Sequence, residues 1–209
     1  MQKSYFALGC GFVVIVGLLI GLIIAGSVWS ARGNLVEKQQ AVKSAWGQVE
    51  NVYQRRMDLI PNLVEVVKRY AAHESTVFTQ VAEARAGAGR IQISPEALGN
   101  PELLAQYQKA QGELSSALTR LLAVSESYPE LKANENFRDL QVQLEGTENR
   151  IAVERMRYNE VVQAYNTYRN KSMFAMLAGA IFGYDREKAY FKADEGAQKA
   201  PDVGKIFDD

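Results

Sequence analysis

The sequence has little of what reactive sites are usually built from. Its 209 residues include one cysteine and one histidine. The cysteine, Cys10, has no second cysteine with which to form an intramolecular disulfide. His73 precedes Glu74, but position 77 is valine, which excludes a zinc site of the His-Glu-x-x-His type. GxSxG, P-loop and complete GxGxxG motifs are also missing. We therefore expect no metal, no cofactor and no enzyme activity, and we interpret His73 as a surface or capping residue.

The chain also lacks an excess of either charge. Lys plus Arg and Asp plus Glu each number 24, so the formal net charge is zero at pH 7. A nucleic-acid-binding domain usually carries a basic face. We therefore expect no nucleic-acid partner.

Charge is absent altogether from Ser4 to Ser30. A helix needs about 20 apolar residues to cross a bilayer, and this run is longer than the apolar core of a cleaved signal peptide. Residues 1–31 are therefore predicted to be a retained single-pass membrane anchor, with the lipid bilayer as the first partner. Aromatic side chains suited to the two interfaces flank the run: Tyr5, Phe6 and Trp29.

The basic residues near the anchor predict its orientation. Lys3 and the terminal amine precede the run, whereas Arg32, Lys38 and Lys43 follow it. Because Lys and Arg favour the cytoplasmic side, the count favours a cytoplasmic soluble domain.

Small residues line one face of the predicted span. Gly17, Gly21 and Ala25 are spaced by four, and the first two form a GxxxG element that lets two helix backbones approach closely. One interpretation is an association face between two spans. The alternative is that glycine and alanine are simply common in transmembrane helices.

The rest of the sequence is patterned for helices. Apolar residues recur every 3.5 to 3.6 positions over residues 35–85, which predicts a long amphipathic helix with a kink at Pro61, near Met57 and Asp58. The Gly, Ser and Pro content of residues 86–101 predicts a loop.

Two further long helices are predicted, over residues 101–127 and 135–168, followed by the short apolar segment Met173–Phe182. No stretch is typical of a strand, so the predicted class is all-α. Helices joined by short turns pack as an up-and-down antiparallel bundle. We predict such a bundle over residues 32–183 and a polar tail over residues 184–209.

Several sequence blocks resemble those of the LemA family. They are WGQV (46–49), YQRRMDLIPNL (53–63), LLAV (121–124), YPELK (128–132), QLEGTENRIAV (143–153) and RYN (157–159). The resemblance covers nearly the whole chain. It implies a bacterial protein with an N-terminal anchor and a helical bundle of bromodomain-like topology. The family has no well-defined biochemical function, and its relatives include a magnetosome-associated protein, which implies membrane remodelling as one role.

Charged residues on the predicted core faces form one candidate site. Arg56 occupies an apolar heptad position close to Asp58, and Glu145 and Glu148 lie near the apolar face of the third long helix. Buried charges need partners. We interpret the four residues as a polar layer that sets helix register, and the alternative is a polar pocket that binds a ligand or a proton.

The segment Met173–Phe182 is the second candidate site. It is too short to span a bilayer, so it either caps the bundle core or contacts a membrane or a partner. Three long helices would leave it at the membrane-distal end, where a neighbouring subunit would cover it. Its predicted interaction residues are Phe174, Leu177, Ile181 and Phe182.

These features predict a non-enzymatic, single-pass protein of the bacterial cytoplasmic membrane. Its bundle would self-associate into a homo-oligomeric scaffold that shapes or organises the membrane. The alternative is an envelope sensor or adaptor whose bundle binds a ligand or an unidentified protein partner.

Overall fold

The structure is a computed structural model that describes residues 2–184 and 186–192, with the backbone alone for residues 2–14. The described ranges contain α-helices and 3₁₀ helices and no strand. The predicted all-α class is therefore confirmed. The α-helices are α1 (Gln2–Tyr70), α2 (Ser75–Arg90), α3 (Pro101–Ala123), α4 (Pro129–Ala133), α5 (Glu135–Lys171) and α6 (Met173–Phe182). Short 3₁₀ helices cover Pro95–Gly99 and Val124–Ser127.

Helix α1 joins the apolar run to the amphipathic region without interruption and continues through Pro61. The prediction that this helix reaches residue 85 is wrong. It ends at Tyr70, and α2 starts at Ser75 and continues to Arg90, into the region predicted to be a loop. No glycine or proline marks this break, and the apolar period runs across it, so the sequence pattern gave no stop signal.

Tertiary contacts accompany the turn at residues 71–74. The Lys68 ammonium lies 5.3 Å from the centroid of the Phe78 ring, on the far side of the turn. The Tyr128 hydroxyl donates a hydrogen bond of 3.2 Å to the Glu74 carboxylate. The spacing of apolar residues along one helix does not predict either contact.

The chain divides into two compact units. One contains Val64–Asn134 and the described residues from Ala189 onward. Within it α2 packs along α3, and α3 begins as the sequence predicts, with Pro101 in its first turn and the Asn100 side chain accepting from the N–H groups of Glu102 and Leu103. Apolar side chains fill the core of this unit: Phe78, Val81, Leu104, Leu114, Leu118 and Leu121.

The other unit contains α1 as far as Leu63, then α5, α6 and the chain up to Lys188. Helix α5 runs antiparallel to α1, because residues later in α5 contact residues earlier in α1. Three contacts define this register: Tyr168 with Asn34 (a hydrogen bond of 3.1 Å), Tyr158 with Trp46 (ring centroids 5.7 Å apart) and Glu148 with Arg56 (2.7 Å).

Candidate functional site

The apolar part of α1 is uncovered. Among the described residues, α1 is the one helix with the length and composition to cross a membrane, and its apolar window is only 6% buried. Gly17 and Gly21 lie within it, and a Cβ built at either glycine meets no heavy atom within 4 Å. Ala25 is exposed as well. No described residue therefore covers the small-residue stripe.

The expected four-residue polar layer is reduced to one pair. The Arg56 side chain is 1% exposed, and its Nη1 atom donates to Glu148 Oε1 at 2.7 Å. Asp58 is exposed and accepts from Gln54, one turn earlier on α1, and Glu145 is exposed and accepts from Gln141 on α5. Both outlying carboxylates are satisfied within their own helices.

The buried member of the pair is the arginine rather than the carboxylate. Glu148 keeps 40% of its side chain exposed, and the Arg56 guanidinium also lies 5.1 Å from the centroid of the Tyr53 ring. The arrangement therefore encloses a cation between an aromatic face and a carboxylate that still contacts water.

Nearer the start of α1 than this pair, the Trp46 and Tyr158 rings meet edge to face in the α1–α5 interface. Burial raises the pKa of the Tyr158 phenol above its ordinary value. Burial also raises the pKa of Glu50, and the hydrogen bond with the Trp46 side chain opposes that effect.

Helix α6 is a well-terminated helix. The Ser172 side chain accepts from the Ala175 N–H at its start. At its end Gly183 adopts a left-handed φ of 80° while its own N–H and that of Tyr184 donate to Gly179. Both termini are therefore fixed by local hydrogen bonds.

The position of α6 contradicts the prediction that it lies at the membrane-distal end. The Phe182 ring meets the Trp29 ring edge to face, with centroids 6.4 Å apart, and Trp29 is the aromatic residue at the end of the apolar run. The Arg32 guanidinium lies 5.3 Å from the Trp29 ring and 5.1 Å from the Phe182 ring. The error follows from the missed break after Tyr70, because four long helices (α1, α2, α3 and α5) precede α6, whereas the prediction counted three. We call these three side chains the Trp29 cluster.

The residues directly after α6, which were predicted to begin a polar tail, are hydrogen-bonded to α5. Asn166, buried on α5, donates to the Lys188 carbonyl and accepts from the Lys188 N–H, both at 2.9 Å. Arg169 donates to the Tyr184 carbonyl at 3.3 Å. A buried asparagine inside a long helix was the available signal, and sequence reasoning missed it. The predicted tail beyond residue 192 lies outside the described residues.

An open groove lies on the surface of this unit, between α1 and the end of α5, with a volume of about 580 Å³. Lys38 and Lys171 bring positive charge to it and Glu160 brings negative charge. The Lys38 ammonium lies 5.5 Å from the centroid of the Tyr168 ring. The groove is therefore open to solvent and carries both signs of charge beside one aromatic ring.

Comparison with known proteins adds a family and three relatives. A model of the LemA family matches residues 45–204. Magnetosome proteins MamQ 1 and MamQ 2 of Paramagnetospirillum magneticum are each 32% identical over 172 residues, which covers 75% of this chain and 61% of each relative. Magnetosome protein MamQ of Magnetospirillum gryphiswaldense is 29% identical over 184 residues, or 80% of this chain and 66% of the relative. The chain thus spans less than two thirds of the length of these relatives.

Proposed function

This chain belongs to the LemA family, and on that premise we propose that it is a non-enzymatic membrane scaffold whose copies associate and organise the membrane that holds them. It is a membrane-associated helical protein. Its similarity to proteins named for the magnetosome supports a role in a larger cellular structure. Self-association and the absence of enzyme activity are what we propose beyond membrane association.

One observation carries the proposal, namely the open glycine stripe on a helix that continues into the soluble part of the chain. Gly17 and Gly21 are open to any neighbour, and α1 extends without interruption from there to Tyr70. In lipid, small residues favour helix association because they let two backbones come into van der Waals contact. A second copy of α1 is the partner that such a stripe fits by symmetry.

The experiment compares leucine substitutions on opposite faces of α1. Gly17→Leu with Gly21→Leu places two bulky side chains on the stripe. Gly26→Leu places the same side chain on the far side, because 3.6 residues per turn put position 26 about 180° from Gly17 and about 140° from Gly21, and Gly26 is equally open. The masses of the full-length variants are measured in mild detergent by mass photometry.

The scaffold proposal predicts oligomers for the unsubstituted protein and for the Gly26→Leu control, with smaller species for the double variant. Unchanged oligomers in the double variant would show that the soluble helices carry the association. A monomer in all three proteins would remove the scaffold proposal.

We propose the bacterial cytoplasmic membrane as the location, with the soluble helices on the cytoplasmic side. The support is the excess of Arg32, Lys38 and Lys43 over Lys3 next to the span. Protease treatment of spheroplasts is the test. A soluble part that is cleaved without lysis would reverse the proposed orientation.

The groove beside Tyr168 favours a second candidate function, an adaptor that binds a protein segment. A photo-crosslinking residue in place of Gln163, which lines the groove, would then give one heterologous adduct of fixed stoichiometry. Adducts between copies of this chain alone would instead support the scaffold.

A further inference from the structure

Helix α6 is apolar on every side, yet only one side is packed. The small residues Ala175, Ala178 and Gly179 are buried against the protein. The opposite face is exposed and consists of Met173, Met176, Leu177, Ala180 and Ile181. A helix that is hydrophobic all round is normally buried, so half of α6 requires a second covering that the described residues do not provide.

The register of the α1–α5 pair shows how α6 is oriented. Tyr168 is level with Asn34, and because the helices are antiparallel, Ser172 lies one turn further, level with about Ser30. Phe182, at the other end of α6, contacts Trp29. A helix of 10 residues is about 15 Å long. Since it starts and ends at nearly one level of α1, it crosses the axis of α1 at a steep angle.

That level is the end of the apolar run. Trp29 is 68% exposed and follows the exposed side chains from Ile15 to Ile24 along α1. Phe182 and Trp29 are both exposed and in contact, with Arg32 against both rings, so the exposed apolar side chains of α1 and α6 meet at this point. The uncovered face of α6 therefore adjoins the surface that lipid would cover.

We propose that α6 is a second membrane-contacting element, which lies in the interfacial layer of the bilayer that α1 crosses and buries its outer face among the lipids. The proposal rests on the membrane association of α1 and not on self-association. A helix across the axis of a spanning helix lies nearly in the membrane plane, the orientation typical of interfacial helices. Its aromatic neighbour Trp29 is of the kind enriched at that depth.

Arg32 is consistent with the headgroup depth. Its guanidinium lies against the two rings of the Trp29 cluster, and the side chain as a whole is only partly buried. An arginine in that layer keeps its stem in apolar surroundings and directs its planar cation to lipid phosphates. If a second copy of the chain covered this face instead, that copy would have to supply a hydrogen-bond acceptor for the Arg32 cation.

The test measures lipid contact at single positions in the full-length protein, with Cys10→Ser as the background. Met176→Cys on α6 and Met156→Cys on α5 form a matched pair, because the two methionines are 57% and 56% exposed. Ile20→Cys on α1 reports whether the anchor is inserted. Each cysteine carries a fluorescent label. The protein is reconstituted in phosphatidylcholine vesicles that contain lipids spin-labelled near the top and near the middle of the acyl chain, because position 20 lies about 14 Å deeper than Trp29.

The proposal predicts loss of fluorescence at positions 20 and 176 and none at position 156. Quenching at position 20 alone would overturn the proposal while leaving the anchor intact. No quenching at position 20 would instead overturn the membrane premise. Label-to-label self-quenching at position 176 without lipid quenching would assign the face to a second copy of the chain, and would also overturn the proposal.

A second variant separates lipid contact from folding. Ile181→Glu puts a carboxylate on the outer face, away from the buried residues of α6. We expect it to reduce lipid quenching at position 176 and to leave the melting temperature unchanged. A collapse of the melting temperature would show that the outer face is part of the protein core, which the proposal excludes.

Discussion

Glu148→Gln is the most informative test of the buried pair. The substitution keeps the size of the side chain and an oxygen acceptor, but it removes the charge that faces Arg56 across 2.7 Å. Because Arg56 is 1% exposed, its cation cannot recover the lost interaction by turning toward water. The free energy of unfolding should therefore fall.

The structure sets the size of that fall. Breaking a fully buried ion pair costs about 3–5 kcal/mol, but Glu148 is 40% exposed, so water already screens the pair. Arg56 also keeps the Tyr53 ring. A charge-assisted hydrogen bond is worth about 1.5–3 kcal/mol, and we expect a loss of about 2 kcal/mol. For a chain of this size that corresponds to a fall in melting temperature of roughly 4–8 °C.

The assay is thermal unfolding in mild detergent, with Glu145→Gln as the matched control. Glu145 is exposed on the same helix and bonds only Gln141 one turn away among the contacts that the structure describes, so its loss should be below about 0.5 kcal/mol. A double-mutant cycle with Arg56→Met completes the test, because Glu148→Gln should cost little once the cation is gone. Equal melting temperatures for the two Glu→Gln variants would refute the reasoning.

Three further predictions concern other sites in the same unit. Asn166→Ala leaves the buried backbone groups of Lys188 without their partners, and thermal unfolding should show a loss of about 2–3 kcal/mol; a loss below about 0.5 kcal/mol would mean that water replaces the amide. Gly183→Ala should cost about 1–2 kcal/mol in the same assay because its φ is 80°. Gly146→Ala, inside α5 with open space around it, should instead stabilise the protein by up to about 1 kcal/mol. A change of the same sign for both variants would contradict the backbone argument. Burial raises the pKa of Tyr158, so this phenol ionises in the unfolded state first as the pH passes about 10. The free energy of unfolding should therefore fall above that pH, and it should fall less steeply in Tyr158→Phe. Equal slopes of unfolding free energy against pH would mean that the phenol is hydrated.

The sequence was sufficient for features that depend on composition or on a local period. An uncharged run of this length predicts a span wherever it occurs, and the 3.6-residue period predicts helices whatever they pack against. Pro101 predicted the start of α3 for an equally local reason, and the structure adds Asn100 as its N-cap. The candidate pair of Arg56 with a glutamate was also accessible, because a charge on an apolar stripe demands a partner.

Other features depended on contacts between residues that are distant in sequence. The turn at residues 71–74 has no local stop signal, and its neighbours Phe78 and Tyr128 are brought to it by packing. Which glutamate pairs with Arg56 depends on the register of two antiparallel helices, and a shift of one turn would have selected Glu145 or a residue beyond Glu148. Single-sequence reasoning could not choose among them.

The sequence by itself determined that this is an all-helical protein with an apolar N-terminal span, because hydrophobic length and periodicity act on each segment independently. Only the tertiary structure decided where Met173–Phe182 lies. Its composition is equally suited to a core, an interface or a membrane surface, so no local pattern tells which end of the α1–α5 pair it adjoins. The contact between Phe182 and Trp29 places it at the end that carries Trp29, because packing between residues that are distant in sequence, and not the composition of the segment itself, sets its position.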